Sequence, residues 1–455
     1  MIQADNVRIL RPAWRERKYR MDERIAAQLP KWRDQIKHLI EQHGDSAFEK
    51  VTVSQIYGGL RGVTTIVSDI SYVDPEAGIR LRGYTIKELL ELLPKAEGTE
   101  IPMAGGLYYL LLVGELPTFE DAMIVENTWH DRSTLPSYLL DIINAMPRDT
   151  HPMILFSQSI MALQRDSVFS RRYQEGMHKE DYWEATLEDS LNLTAKLPSI
   201  AALIYNHLYR EGELTSPSEV LDWSANFAHM IGKGNDLEYH DLCRLFFIIH
   251  SDHEGANASA HTARLVNSTL ADVYYACSAG LNALAGPLHG LANQACLKWL
   301  LGVYNHFNGL PTKEQLKTYA EKQLKKGHVI PGYGHAVLRT TDARFTAQRD
   351  FALEHLPEDE IFQLVERVYE VVPDILMATG KVKNPWPNVD AINGTLQYHY
   401  GVKEFEFYTV LFGMSRIMGF TAGLVWDRAI GKPIERPKSI TTKRLSDFVE
   451  SEQHQ

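Results

Sequence analysis

Histidine, carboxylate and arginine side chains cluster at four places in this sequence, each beside glycines or prolines. The first is His250-Ser251-Asp252-His253-Glu254-Gly255-Ala256-Asn257, continuing to Ser259 and His261. It follows the apolar run from Leu245 to Ile249, so a polar site is expected at a helix end. Histidine and carboxylate are metal ligands, but this spacing matches none of the common zinc patterns. A polar loop with capping residues is the other open reading. The second cluster is Ala285-Gly286-Pro287-Leu288-His289-Gly290. Pro287 suits the first position of a helix, and Leu288, Leu291, Ala292, Ala295 and Trp299 then trace one apolar face. His289 falls in that first turn, where the dipole disfavours imidazolium. A neutral imidazole can donate a hydrogen bond to a carbonyl gaining negative charge; it can equally be packed at a helix start.

The third cluster runs from Gly327 through His328-Val329-Ile330-Pro331-Gly332-Tyr333-Gly334 to His335, with Arg339, Asp342 and Arg344 beyond. Its glycines and proline exclude a regular helix and let backbone groups approach a ligand closely. It is neither a Walker A loop nor a dinucleotide fingerprint. The fourth is Asn384-Pro385-Trp386-Pro387-Asn388-Val389-Asp390. Two prolines hold the chain extended and place Asp390 at the start of the next helix, where it can be an N-cap or a reactive carboxylate. Arg416 lies in an apolar stretch, and Arg436 follows the turn Gly431-Lys432-Pro433. A buried arginine needs an anion, either a structural carboxylate or a dicarboxylate ligand held by its planar fork.

Mostly helices must position these groups. Leu29, Trp32, Ile36, Leu39 and Ile40 recur at helical spacing before Gly44. Thr312 and Gln315 form a capping box after Pro311, with Leu316, Tyr319, Ala320 and Leu324 as the apolar face and Gly327 as the stop. Strand alternation is confined to 51–56, 64–73 and 79–81, the last two joined by the turn Asp74-Pro75-Glu76-Ala77-Gly78. The expected fold is therefore all-α, mainly helical, with a minor β-sheet near the N-terminus. Tyr408 to Trp426 is apolar and long enough to span a bilayer, but Arg416 near its middle is costly in lipid. It reads as a helix buried in a large protein. The tail after Ser439 reads as polar, fraying at its end.

With 455 residues, 44% of them hydrophobic, the chain can bury a large core. A net charge of -11 argues against nucleic acid as the main partner, though not against a local basic pocket. Cys243, Cys277 and Cys296 form no C-x-x-C pair, which fits a reducing compartment. The N-terminal arm carries Arg8, Arg11, Arg15, Arg17 and Arg20, but also Asp5 and Glu16 and no serine or threonine. It reads as a polar arm, not a transit peptide.

Taken in order, HSDHEGANASAHT (250–262), AGPLHGLANQ (285–294), IPGYGHAVLRTTDAR (330–344), NPWPNVDA (384–391) and ERPKSITT (435–442) resemble citrate synthase in its longer, eukaryotic-like form. YGGLRG (57–62) and DPEAGIRLRGY (74–84) match upstream. The likeness covers nearly the whole chain after about residue 25. It implies a two-domain citrate synthase fold, with a large domain formed by 1–290 and 402–455 and a small domain at 291–401. It implies a homodimer with shared active sites, a tricarboxylic acid cycle role, and a small domain that closes over oxaloacetate to complete the acetyl-CoA site. The expected partners are these two small molecules, with no nucleic acid or membrane, and no cofactor or metal is implied.

The same resemblance assigns roles. Asp390 is the base that deprotonates the acetyl methyl group, His289 donates to the thioester oxygen, and His335 polarises and protonates the ketone of oxaloacetate. His253, Arg344 and Arg416 hold oxaloacetate with His335, and Arg436 comes from the partner subunit. Val329, Ile330, Pro331, Gly332, Tyr333 and Gly334 contact CoA, with Arg61 and Arg339 on its phosphates. Lys179 stands where a partner-subunit arginine for CoA is expected. Asn257 and Ser259 fix His289, and Asn388 orients a catalytic neighbour. A 2-methylcitrate synthase using propionyl-CoA is the near alternative, since one methylene changes selectivity by only about 1–3 kcal/mol. More distant alternatives are a metal-dependent hydrolase on His250, His253, Glu254 and His261, and a non-catalytic CoA-binding scaffold. A bacterial cytoplasm is the expected location, with the mitochondrial matrix as the alternative.

Overall fold

The computed structural model describes residues 19–210, 215–335, 337–380 and 382–453. The basic arm therefore lies outside the described residues, apart from Arg20, which falls in the first helix. The body is helical. Its centre is the helix Tyr408–Ala429, on which every side chain except Phe412 is buried. It packs along the 28-residue helix Tyr182–Tyr209 and against Ala104–Val113, Val273–Leu284 and Ala258–Ser268. One helix among the described residues is long and apolar enough to cross a membrane, and 94% of its apolar window is buried inside the chain. A helix apolar on all sides belongs in such a core, and Arg416 sits in it with 2% of its surface exposed.

The N-terminal apolar stripe forms the helix Tyr19–His43. Leu29 is buried and Trp32 meets Trp426 edge-on at 6.0 Å, but Leu39 and Ile40 lie exposed on one chain. The Thr312–Gln315 capping box forms as expected and opens the helix Lys313–Lys325. In the polar tail Thr442–Gln453 is a helix, reached by a Tyr57 hydroxyl bond to Thr442 Oγ1 at 2.9 Å.

The sheet is smaller than the alternation suggests. Strands β1 (Ser71–Asp74), β2 (Gly78–Leu81) and β3 (Tyr84–Thr85) form an antiparallel meander, with Ser71 opposite Leu81 and Val73 opposite Ile79. Asp74 Oδ1 accepts the Glu76 and Ala77 amides and closes the turn. The segment expected as a strand at 51–56 instead carries the short helix Val53–Tyr57, because Thr52 and Gln55 make a capping box that alternation does not reveal. Its apolar side chains remain exposed, so no partner strand rewards the extended form.

After residue 290 a second group of helices packs together. Ala292–Phe307 and Ala343–His355 both lie against Asp390–His399, and Lys313–Lys325 lies against Glu360–Ala378. Helix Ala343–His355 also meets Leu237–Ile249 in the first group. The four motif clusters singled out in the sequence lie where these two groups face each other.

Candidate active site

The loop from His250 to Asn257 joins the helices Leu237–Ile249 and Ala258–Ser268 and is pinned to β1. The Ser71 hydroxyl donates to Asp252 at 2.6 Å and accepts the Glu254 amide at 2.8 Å, while the Val73 amide donates to Glu254 Oε1. Asn257 caps the second helix through Oδ1, and its Nδ2 donates to the His253 and Glu254 carbonyls at 2.6 and 2.7 Å. His261 pairs with Glu435 at 2.7 Å, and His250 Nδ1 donates to the Phe246 carbonyl.

His289 does not start a helix. Residues 285–290 form a turn in which the Gly286 carbonyl accepts the His289 and Gly290 amides, and the helix begins only at Ala292. A Cβ on Gly290 would collide with the Leu284 carbonyl, so the tight turn depends on that glycine. Leu288, assigned to the apolar face, is fully exposed. The helix terminus facing His289 is that of Ala258–Ser268. The Ser259 amide donates to Nε2 at 3.3 Å, and Ser259 Oγ lies 2.8 Å from it while donating to Asn257 Oδ1. An amide N–H can only donate, so Nε2 accepts and the proton sits on Nδ1. Burial, with a smaller push from Arg416, lowers the imidazole pKa to about 4 and keeps it neutral. Ser259 thus touches the ring directly, and Asn257 holds the Ser259 hydroxyl.

The glycine loop and the proline segment form one unit. Gly334 donates to the Trp386 carbonyl at 3.0 Å, Asn388 to the Gly332 carbonyl at 2.9 Å, and Asn388 Nδ2 to the Gly334 carbonyl at 2.9 Å. Asn384 Nδ2 adds a bond to the Leu338 carbonyl. Gly332 has φ +80°, and a Cβ there would stand 2.7 Å from Ala391 Cα. Pro331, Ile330 and Tyr333 are tucked against this seam, whereas Val329 is exposed. Gly332→Ala is expected to push the loop off the helix Asp390–His399 and lower the melting temperature, because the left-handed φ and the Ala391 clash both disfavour a side chain. Calorimetric melting checks it, and an unchanged melting temperature would mean that the loop shifts freely.

Asp390 is the first residue of that helix, but its carboxylate caps nothing. Asn388 Oδ1 accepts the Asp390 amide at 3.0 Å, which frees the carboxylate. Burial raises its pKa to about 6, a rise that Arg344 and Arg416 only partly offset. On the same unit His335 Nδ1 accepts the Val337 and Leu338 amides at 3.1 and 3.0 Å. The proton is therefore on Nε2. Burial and then Arg344 lower this pKa to about 4. The His335 ring lies 5.5 Å from that of His253, whose pKa is also driven down, by burial and then by Arg344 and Arg416.

Arg344 is buried and held by both oxygens of Asp342, Nε to Oδ1 at 3.0 Å and Nη2 to Oδ2 at 2.7 Å. Asp342 also caps the helix Ala343–His355, and its amide donates to the Pro387 carbonyl. Arg416 has a different environment. Its Nε donates to the His250 carbonyl at 3.0 Å and its guanidinium covers the Phe412 ring at 4.6 Å. No carboxylate lies within ion-pair distance of it among the described residues. Burial lowers its pKa to about 10.

One chain thus brings together His253, His289, His335, Arg344, Asp390 and Arg416. Arg339 lies at the edge, its amide donating to the Pro75 carbonyl of the β-turn. Arg61, Lys179 and Arg436 are exposed and are not drawn into the cluster. Asp342 received no role from sequence reasoning, and His250 received one only in the metal-dependent hydrolase alternative. The signal for Asp342 was its place two residues before an arginine at a helix start.

A family model described as "Citrate synthase, C-terminal domain" matches residues 59–438. The chain belongs to the citrate synthase family. It is 51% identical over 427 residues, 94% of this chain and 92% of the relative, to a probable mitochondrial citrate synthase of Glossina morsitans morsitans. It is 50% identical to the mitochondrial citrate synthase of Xiphias gladius, over 93% of this chain and 91% of that one. The crystal structure of citrate synthase from Pyrobaculum aerophilum superposes with a TM-score of 0.75 at 26% identity, covering 87% of this chain and 95% of the other. The enzyme is a condensing transferase that joins acetyl-CoA to oxaloacetate and hydrolyses citryl-CoA to citrate and CoA. The 2-methylcitrate alternative is not favoured by these relatives. The expected bacterial cytoplasm is overturned, because the curated relatives at half identity are named as mitochondrial enzymes.

Proposed function

We propose that residues 291–401 act as a small domain closing over the cleft and that the six clustered side chains perform the condensation. The observation that carries this reading is Arg416, a buried guanidinium with no carboxylate partner in an apolar helix. A desolvated cation is stable there only if an anion completes it, and a carboxylate of oxaloacetate supplies one. Arg344 and His253 face the same space, and Arg436 of a second copy adds a further cation.

Proton movements follow from the tautomers. The Asp390 carboxylate takes a proton from the acetyl methyl group. The thioester oxygen, gaining negative charge, accepts from His289 Nδ1–H, so the carbon acid ionises to an enol instead of a free enolate. The enol carbon bonds to the oxaloacetate ketone as the thioester oxygen returns its shared proton to His289; His335 Nε2–H polarises the ketone oxygen and delivers its proton, and the proton that Asp390 took from the methyl group then restores the His335 imidazole. Water then cleaves the citryl thioester, releasing CoA. The seam at 329–334 receives the CoA body, with Arg339 and Arg61 on its phosphates and Lys179 reaching in from the second copy. A homodimer in the mitochondrial matrix, in the tricarboxylic acid cycle, is the assembly and setting that fit.

The acid limb of kcat/KM should belong to Asp390. Its folded pKa of about 6 means the reactive carboxylate is lost as pH falls through that value. His289 and His335, near 4, stay neutral over that range. Rates for acetyl-CoA measured from pH 5 to 8 should fall with a midpoint near pH 6, and a profile flat to pH 5 would remove Asp390 as the base. Shared sites have their own test. Co-expressed Asp390→Gly and Arg436→Leu chains should regain activity, since one site of each mixed dimer holds an intact pair. No recovery on verified mixed dimers would place Arg436 outside the partner's site.

A further inference from the structure

His250 is 1% exposed and ends the helix Leu237–Ile249. Its Nδ1 must donate to the Phe246 carbonyl at 2.8 Å, because a carbonyl only accepts. Nε2 is thereby an acceptor, and Asn393 Nδ2 donates to it at 3.2 Å. Burial, Arg344 and Arg416 hold the imidazole pKa down near 3, so Nε2 remains an acceptor at any working pH.

Each side of this residue touches a different part of the site. Its carbonyl accepts Arg416 Nε. Its ring stacks on Phe246 at 4.3 Å and meets Phe412, the ring under the Arg416 guanidinium, edge-on at 5.3 Å. Asn393 is three residues beyond Asp390 on the same helix, so the two share a face. That amide is 2% exposed, and its Oδ1 is left without a partner, as is the Ser251 hydroxyl. An unpaired buried acceptor is destabilising, so stability alone gives little reason for this polar pair.

We propose that His250 is a positioning residue that ties the oxaloacetate arginine Arg416 to the helix carrying Asp390, across the boundary between the two groups of helices. The proposal rests on the site and domain reading above and deepens it. Oxaloacetate drawn onto Arg416 settles the edge-on contact of Phe412 with His250, and the bond to Asn393 sets the first turn of the base's helix. The base thus reaches its working position when the second substrate's partner is already bound.

The test uses the full chain with oxaloacetate and acetyl-CoA. His250→Phe keeps the ring stack and the main-chain bond to Arg416 but loses both ring nitrogens, and with them the bonds to Asn393 and to the Phe246 carbonyl. Asn393→Leu loses only the amide. Each single variant should lower kcat about tenfold and raise the kinetic isotope effect with trideuterated acetyl-CoA, because proton removal becomes slower. Oxaloacetate affinity should stay within about twofold, since Arg416 and its supports are kept. The double variant should be no slower than either single one. A merely structural pair would lower the melting temperature and leave kcat and the isotope effect of the folded enzyme unchanged, and that result overturns the proposal. Multiplied losses in the double variant also overturn it. Asn393→Leu carries the kinetic test by itself should the phenylalanine variant fail to fold. Wild-type enzyme that released no CoA with oxaloacetate would overturn the underlying reading along with the tether, whereas active wild type with unaffected variants would overturn the tether alone.

Discussion

Asp390→Gly is expected to lower kcat by about 10³-fold or more while oxaloacetate binds as before. A positioned base typically contributes about 10²–10⁴-fold, and glycine leaves no group to replace it. The carboxylate has no structural duty to lose: it caps no amide, and Asn388 already satisfies the Asp390 backbone N–H. Burial raises its pKa to about 6, so its removal relieves a desolvated charge and should not unfold the helix. Single-turnover and steady-state rates, with oxaloacetate affinity measured by titration, separate the possibilities. Substantial residual turnover would mean that another group takes the proton, and a parallel loss of oxaloacetate affinity would make the residue a binder.

Arg416→Leu should produce the opposite split. Oxaloacetate affinity should fall by a factor of about 10²–10³, in line with the 2–5 kcal/mol seen when one partner of a buried charge pair is removed. Stability should hold or rise, because this guanidinium is buried without a carboxylate in contact and leucine suits its apolar helix. Arg344 makes an instructive contrast. Truncating it would also weaken oxaloacetate binding, but would strand Asp342, which is 1% exposed, and cost about 3–5 kcal/mol of stability. Calorimetric melting and oxaloacetate titration of the two leucine variants together test the distinction. Equal destabilisation, or unchanged affinity in Arg416→Leu, would remove the anion-binding role.

The motifs were legible because the chemistry needs particular side chains in short runs. The structure brings His253, His289, His335, Arg344, Asp390 and Arg416 together from motifs that lie far apart in the sequence. What local patterns could not show was tertiary origin. Pro287 looked like a helix start, yet the close approach of Gly290 to Leu284 makes a turn there, and His289 is met by the N-terminus of a helix some thirty residues earlier. The alternation at 51–56 lost to one capping box. The pairings Asp342–Arg344 and His250–Asn393 were hidden for different reasons. The first looks like a simple helix cap in one dimension, and the second joins residues 143 positions apart. The location was misjudged because an acidic pair and a lack of hydroxyl residues in the N-terminal arm were weighed against mitochondrial targeting, whereas the relatives at half identity carry that location in their names.

The most direct measurement is thiol release on mixing the purified protein with oxaloacetate and acetyl-CoA, with propionyl-CoA in parallel. Rapid release that requires oxaloacetate and is much faster with acetyl-CoA is the predicted result. No oxaloacetate-dependent release from either thioester, by folded protein, would contradict the account.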